Sequence, residues 1–128
     1  MKRDNRYKFW LGHTKKMTYP HTLAEIGGLI KEWTSDIIPL EFTGFDDKNG
    51  NKIFEGDIIS DWVDTDEGLI KSHKQVFWNN KRGGWYVDDS YVQDKTEGIE
   101  LWFELYDFDY EISGNIYENT ELLKPLKN

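Results

Sequence analysis

Apolar and polar positions along this chain change places every few residues, and turn-forming residues separate the bursts. Tyr7–Leu11 reads as a first strand, Gly12–Lys16 as its turn and Met17–Tyr19 as the return. Pro20 and His21 interrupt that pattern. Two readings stay open from Thr22 to Trp33. Leu23, Ile26, Ile30 and Trp33 have helical spacing, whereas Gly27 and Gly28 suit a turn between two short strands. Beyond Pro39, strands are predicted over Leu40–Phe45, Ile53–Phe54, Asp57–Val63, Leu69–Trp78 and Trp85–Val92. The connectors between them are Asp47–Gly50, Glu55–Asp57, Asp64–Gly68 and Asn79–Gly84, and Asn49-Gly50 tolerates the positive φ of a tight hairpin.

The last third is harder to read. Tyr106, Phe108, Tyr110 and Ile112 alternate with Asp107, Asp109 and Glu111, a strand with one apolar and one acidic face. Upstream, Ile99, Leu101, Phe103 and Leu105 have the opposite parity. A bulge or turn near Leu105-Tyr106 is then required, unless residues 99–106 form a helix. Gly114 is expected just before a last short strand, and Glu118–Leu123 as a short helical turn. Closely spaced strands with turns between them predict an α+β fold, mainly β. Its antiparallel strands would form a small barrel-like or sandwich domain with minor helix, one domain over residues 1–128.

Composition supports a folded chain. Only 38% of the 128 residues are apolar, but 16% are aromatic, with six Trp, seven Tyr and seven Phe. Large rings build a core from few residues, so a mean hydropathy of −0.75 describes a charged surface, not disorder. There is no cysteine, which excludes disulfides, thiolate catalysis and Cys-based zinc sites. No apolar run reaches the length of a signal peptide or a membrane span, so the cytoplasm of a bacterial host is the expected location. The net charge of −8 is unevenly spread: residues 1–40 carry +3 and residues 41–128 carry −11. Phosphate neutralisation dominates nucleic-acid affinity, so nucleic acid is not the expected main partner of an acidic chain.

Three stretches carry a family resemblance. The first is Tyr7-Lys8-Phe9-Trp10 with its return at Lys15-Lys16-Met17. The second runs from Thr43-Gly44-Phe45-Asp46-Asp47-Lys48-Asn49-Gly50 to Phe54-Glu55-Gly56-Asp57-Ile58. The third is Ile112–Glu121, containing Gly114, Asn115, Tyr117, Glu118 and Asn119. In order and spacing these resemble the YopX family, small proteins mostly of phages and prophages whose role is unknown. Leu11 stands where an acidic residue usually follows the Trp, Ser113 precedes the glycine, and Thr120 replaces a proline. The resemblance implies a β-dominated fold and self-association, and it brings no catalytic residues and no cofactor. Trp10, Thr43, Gly44, Asn49, Gly50, Glu55, Gly56, Asp57, Gly114, Asn115, Tyr117, Glu118 and Asn119 are expected to hold structure.

Candidate chemistry is sparse. Asp57 and Asp61 share strand parity and, with Glu55, tempt an acid–base reading. Asp57 after a turn glycine is better explained as an acceptor of backbone N–H groups, with Asp61 solvated. Asp64–Gly68 resembles part of a cation loop but lacks the downstream glutamate, so an acidic hairpin tip is expected. No histidine pair has metal-ligand spacing, and no serine sits in a nucleophile elbow. The expectation is a non-enzymatic accessory protein, homo-oligomeric, that binds a host or phage protein. Its acidic aromatic face would be Tyr106, Asp107, Phe108, Asp109 and Tyr110. The alternative is a single-strand nucleic-acid binder using the basic N-terminal arm (Lys2, Arg3, Arg6, Lys8, Lys15, Lys16) and the Trp78–Trp85 hairpin with Lys81 and Arg82.

Overall fold

A computed structural model of the protein describes residues 6–22, 24–25, 36–91 and 97–125. Strand β1 (Arg6–Leu11) places its aromatic burst in the centre of the first sheet. β2 (Lys16–Met17) and β3 (His21–Thr22) pair with successive ends of β1, one interrupted edge strand broken around Pro20. On the other side β1 pairs with β4 (Ile37–Asp46), Tyr7 opposite Glu41 and Leu11 opposite Ile37. β5 (Lys52–Phe54) completes the order β2-β1-β4-β5. Phe9 and Ile37 are buried on this sheet, with Tyr7 and Leu11 packed against them.

The second sheet is built around β6 (Asp57–Thr65) and β7 (Gly68–Asn79), which pair over their whole length from Ile58–Gln75 to Thr65–Gly68. β8 (Gly84–Asp88) follows β7. β9 (Ser90–Tyr91) leaves the sheet to pair in parallel with the terminal β12 (Lys124–Pro125). β10 (Ile99–Glu100) and β11 (Glu111–Asn115) are the two edges, in the order β10-β8-β7-β6-β11. The antiparallel sheet curls into a half-barrel, so the fold is α+β and mainly β, as the turn spacing predicts. Ile53, Ile59, Val76, Val87, Leu101 and Tyr110 form its core.

Between β10 and β11 lies helix α1 (Leu101–Asp107). The helical option for residues 99–106 holds over Leu101–Asp107, and the alternating strand expected from Tyr106 onward is corrected: it begins only at Glu111. Leu101 and Glu104 are buried, and Leu105 packs on the core, which is i, i+3, i+4 spacing. The period was hidden because one of its three inward positions is a carboxylate. Glu104 is tolerated inside because Tyr110 Oη donates to its Oε2 at 2.9 Å. The last short strand expected after Gly114 is also corrected. Gly114 lies within β11, at a register shift after Ile112, and residues 116–118 turn. The helical turn expected over Glu118–Leu123 is present as a 3-10 turn, Thr120–Leu122.

Of the ambiguous stretch from Thr22 to Trp33, Thr22, Ala24 and Glu25 are described and the remainder lies outside the described residues. Thr22 N donates to Glu25 Oε1 and Glu25 N to Thr22 Oγ1, a reciprocal capping pair at the start of a helical turn. No helix among the described residues is long and apolar enough to cross a membrane.

Candidate functional site

The Thr-Gly and Glu-Gly-Asp blocks fold into two consecutive corners. Thr43 Oγ1 donates to Ile53 O at 2.8 Å and accepts from Phe45 N, fixing the twist of β4 where Gly44 takes a positive φ of 89°. The β4–β5 loop is longer than a two-residue hairpin, with Asp46 opposite Lys52. Gly50 N donates to Asp47 O, and Gly50 alone in that loop has positive φ, 81°; Asn49 does not. That geometry is a turn closed by a glycine bulge.

Asp47 organises the loop. Its Oδ1 accepts from Asn49 N and Asn51 N, both at 2.9 Å, and its Oδ2 accepts from Ile112 N of β11 at 3.0 Å. Burial would raise its pKa, but these N–H donors outweigh it and hold the carboxyl below its usual range. Lys48 N donates to Tyr110 O beside it. One aspartate thus ties the first motif to the last.

The second corner is tied in the same way. Asp57 Oδ2 accepts from Phe54 N at 2.8 Å, as its place after the turn glycine predicts. Gly56 has φ 85°; its carbonyl accepts from Ile116 N, and a Cβ there would meet the Tyr117 ring at 3.3 Å. Tyr117 in turn stacks on Trp10, centroids 5.3 Å apart. In the closing block Asn115 Oδ1 accepts from Tyr117 N and Glu118 N, and Asn115 Nδ2 donates to Glu118 Oε1. Asn119 Oδ1 accepts from Asn115 N and fills the space a side chain at Gly114 would need. Gly56→Ala is expected to cost roughly 2 kcal/mol, from a disfavoured backbone region and crowding against Tyr117. Thermal unfolding checks this, and an unchanged Tm would contradict it.

Burial pushes the Asp57 carboxyl up to about 6, opposed by the Phe54 N–H and the Lys8 charge and assisted by Asp47. Asp61, expected to be solvated, instead accepts from Trp62 N and from Asp109 N, anchoring the segment after α1. Burial also raises Glu55, against a backbone contact from Glu41 and with the Glu41 charge adding to the rise. Ser60, His73 and Ser113 form a relay across β7, β6 and β11, with Ser60 Oγ 2.6 Å from both His73 Nδ1 and Ser113 Oγ. Ser60 is only 1% exposed, so the relay is an internal strut. Burial holds His73 below its usual pKa, which suits a neutral ring there. Asp64–Gly68 is a tight hairpin, with Thr65 opposite Gly68 and Thr65 Oγ1 donating to Gly68 O.

Two surfaces flank the Asp47 loop. On one side a small cleft of about 170 Å³ is lined by Asp46, Asp47, Leu105, Phe108 and Asp109 among others. Beside it α1 turns Trp102, Phe103 and Tyr106 to solvent, 53%, 48% and 85% exposed, with Phe108 at 43%. The expected partner face at Tyr106–Tyr110 is corrected in one respect. Tyr110 is core, 2% exposed, with its phenol pushed far above the usual range by burial and then by Glu104. Trp102 and Phe103 extend the exposed aromatic group instead. Strand parity could not place them there; a helix puts them beside Tyr106.

On the other side lies a broad cleft of about 850 Å³, lined by Lys8, Lys15, Lys16, Lys52, Tyr19 and Phe54 among others, with Glu118 the one carboxylate among its described lining residues. Lys8 Nζ sits 4.8 Å from the Phe54 ring centroid. Lys8, Lys15 and Lys16 come from the basic arm noted in the sequence, and Tyr19 follows them on the β2–β3 edge; Lys52 joins them only through the β1–β4–β5 pairing. The Trp78–Trp85 hairpin is elsewhere. Those rings pack edge to face at 5.2 Å and share a small cleft with Glu41 and Glu55, while Lys81 and Arg82 pair with Glu97. The two halves of the nucleic-acid alternative do not meet in one groove.

The family model described as YopX protein matches residues 5–124, nearly the whole chain. The chain belongs to the YopX family. No curated protein matches it. A crystal structure of protein EF1440 from Enterococcus faecalis is similar to this YopX chain at 19% identity. It covers 96% of this chain and 100% of its own, with a TM-score of 0.61, which establishes likeness of fold. In this YopX protein the family blocks are the interlocked corners described above.

Proposed function

We propose that this YopX protein is a non-enzymatic phage or prophage accessory protein acting in the host cytoplasm by self-association and by binding another protein. The exposed aromatic group of α1 carries the reading. Trp102, Phe103, Tyr106 and Phe108 are four large rings left exposed side by side on and just after one short helix, and such patches mark contact surfaces. Glu100, Asp107 and Asp109 surround them, so the fitting partner presents an apolar pocket rimmed by Lys or Arg. Two copies of this face would oppose like charges.

Self-association is assigned to the outer end of the β6–β7 hairpin, where Trp62, Leu69 and Ile70 are exposed. Lys71 lies over Trp62, and Asp64 pairs with Leu69, so a two-fold copy can bring opposite charges together. The absence of chemistry is supported by Asp57 and Asp61, whose carboxylates are engaged by backbone N–H groups.

Trp102→Ser with Tyr106→Ser is expected to weaken partner capture at least about 30-fold without altering stability, as loss of an interfacial hot spot does. Affinity capture from host lysate, followed by titration of the retained protein, measures this. Undiminished capture would remove the α1 face from consideration. Light scattering of Leu69→Lys tests the other half, with a fall in mass expected.

A further inference from the structure

The broad lysine cleft is a second surface of opposite sign, and we infer that it binds single-stranded nucleic acid. The protein as a whole repels phosphate, with a net charge of −8. Yet four of its sixteen Lys and Arg residues converge on one concavity from β1, the β1–β2 connection, β2 and β5. No ion pair engages Lys8, Lys15 or Lys16 among the described residues. Where basic residues elsewhere approach carboxylates, they pair: Lys48 and Lys71 with Glu111, Lys81 and Arg82 with Glu97. Lys15 and Lys16, both exposed, therefore offer their charge outward.

The β1–β2 turn shows how the chain brings two of them there. Lys15 adopts φ 54°, the left-handed region that favours glycine, and it is the one described non-glycine residue to do so. That conformation carries Lys15 and the following Lys16 to the cleft wall. Lys8 is steadied over the Phe54 ring, and Lys52 over Phe42, both at 4.8 Å. Fixed cations at several points of an open groove match a chain of phosphates better than a single small anion.

Tyr19 decides between duplex and single strand. Its ring is 84% exposed on the cleft wall, with its backbone held where Thr18 Oγ1 donates to Tyr19 O. A free aromatic face beside lysines stacks an unpaired base, which a duplex keeps hidden. An acidic protein segment could also use the lysines and the ring, so competition between the two kinds of polyanion is part of the test. The cleft is separated from the acidic α1 face by the Asp47 loop, since Gly50, Asn51 and Lys52 line one side and Asp46 to Lys48 the other.

Fluorescence anisotropy with a labelled twelve-residue oligothymidine tests the site on the full-length protein. Binding at low salt is expected, with a log–log salt slope of about −2 to −3 for three or four phosphate contacts on a single strand. Lys15→Gln with Lys16→Gln, both at solvent-facing positions, should reduce that slope by about 1.4. Tyr19→Ala should weaken binding roughly tenfold at an unchanged slope, because it removes stacking without removing charge. The inference is overturned by no binding at 50 mM salt, or by affinity and slope unchanged in the double lysine variant. Polyglutamate displacing the probe as well as unlabelled oligothymidine does, charge for charge, would also overturn it and give the cleft to an acidic protein segment. None of these variants touches α1, so the outcome is independent of the protein-binding face.

Discussion

Asp47→Ala is expected to destabilise the protein by roughly 3–4 kcal/mol, because it strips a charged acceptor from three backbone N–H groups at once. The donors are Asn49, Asn51 and Ile112, and the Asp47 side chain is only 7% exposed. Two of those bonds shape the β4–β5 loop and the third crosses to β11, so the loss is not local. Asp47→Asn retains one acceptor oxygen and should cost about half as much. Urea unfolding at pH 7 measures both. The contribution also has a pH signature. The folded-state pKa is lowered, so this stability is present above the unfolded value of 3.8 and disappears as pH falls through the lower folded value. If the two variants unfold with wild-type midpoints, the loop does not join the motifs. The same substitutions should disturb both proposed surfaces, since the loop divides them.

Much of this architecture is written locally. Turn glycines and Asn-Gly mark the β4–β5 and β5–β6 corners, and β-branched runs mark β6 and β7, because those signals depend on neighbours in the chain. Asp57 as a backbone acceptor is legible for the same reason: its donor is three residues away. Asp47 is less so, since its decisive donor, Ile112, lies 65 positions along the chain. α1 stays undecided in the sequence, one of two open readings, for a different reason. Seven residues with aromatics at both parities mimic a strand, and Glu104 interrupts the apolar helical stripe until Tyr110 is seen to satisfy it. The lysine cleft is legible only in part. Lys8, Lys15 and Lys16 stand out as a basic arm, but Lys52 sits within the acidic remainder and reaches them through strand pairing alone. Local pattern marks the corners; tertiary pairing makes the surfaces.

Asp57 should give the opposite pH response to Asp47 within the same motif. Burial raises its folded pKa from 3.8 to about 6, against the Phe54 N–H and Lys8. The folded state therefore binds this proton more tightly than the unfolded chain. Its stabilising effect is complete below pH 4 and is lost as pH rises through about 6, after which the ionised form persists as a cost. That displacement corresponds to roughly 3 kcal/mol in favour of the neutral carboxyl. Asp57→Asn keeps an oxygen for Phe54 N while removing the charge. The variant should match wild type near pH 4 and exceed it by about 1–3 kcal/mol at pH 8, the difference opening as pH rises through about 6. Urea unfolding across pH 4–8 measures the difference, and parallel profiles for the two proteins would rule out a titrating Asp57. A difference of that shape would place the cost of this corner in its buried charge, with the hydrogen bond itself kept. The carboxylate would then be held within reach of the Lys8 charge at a measurable expense in stability.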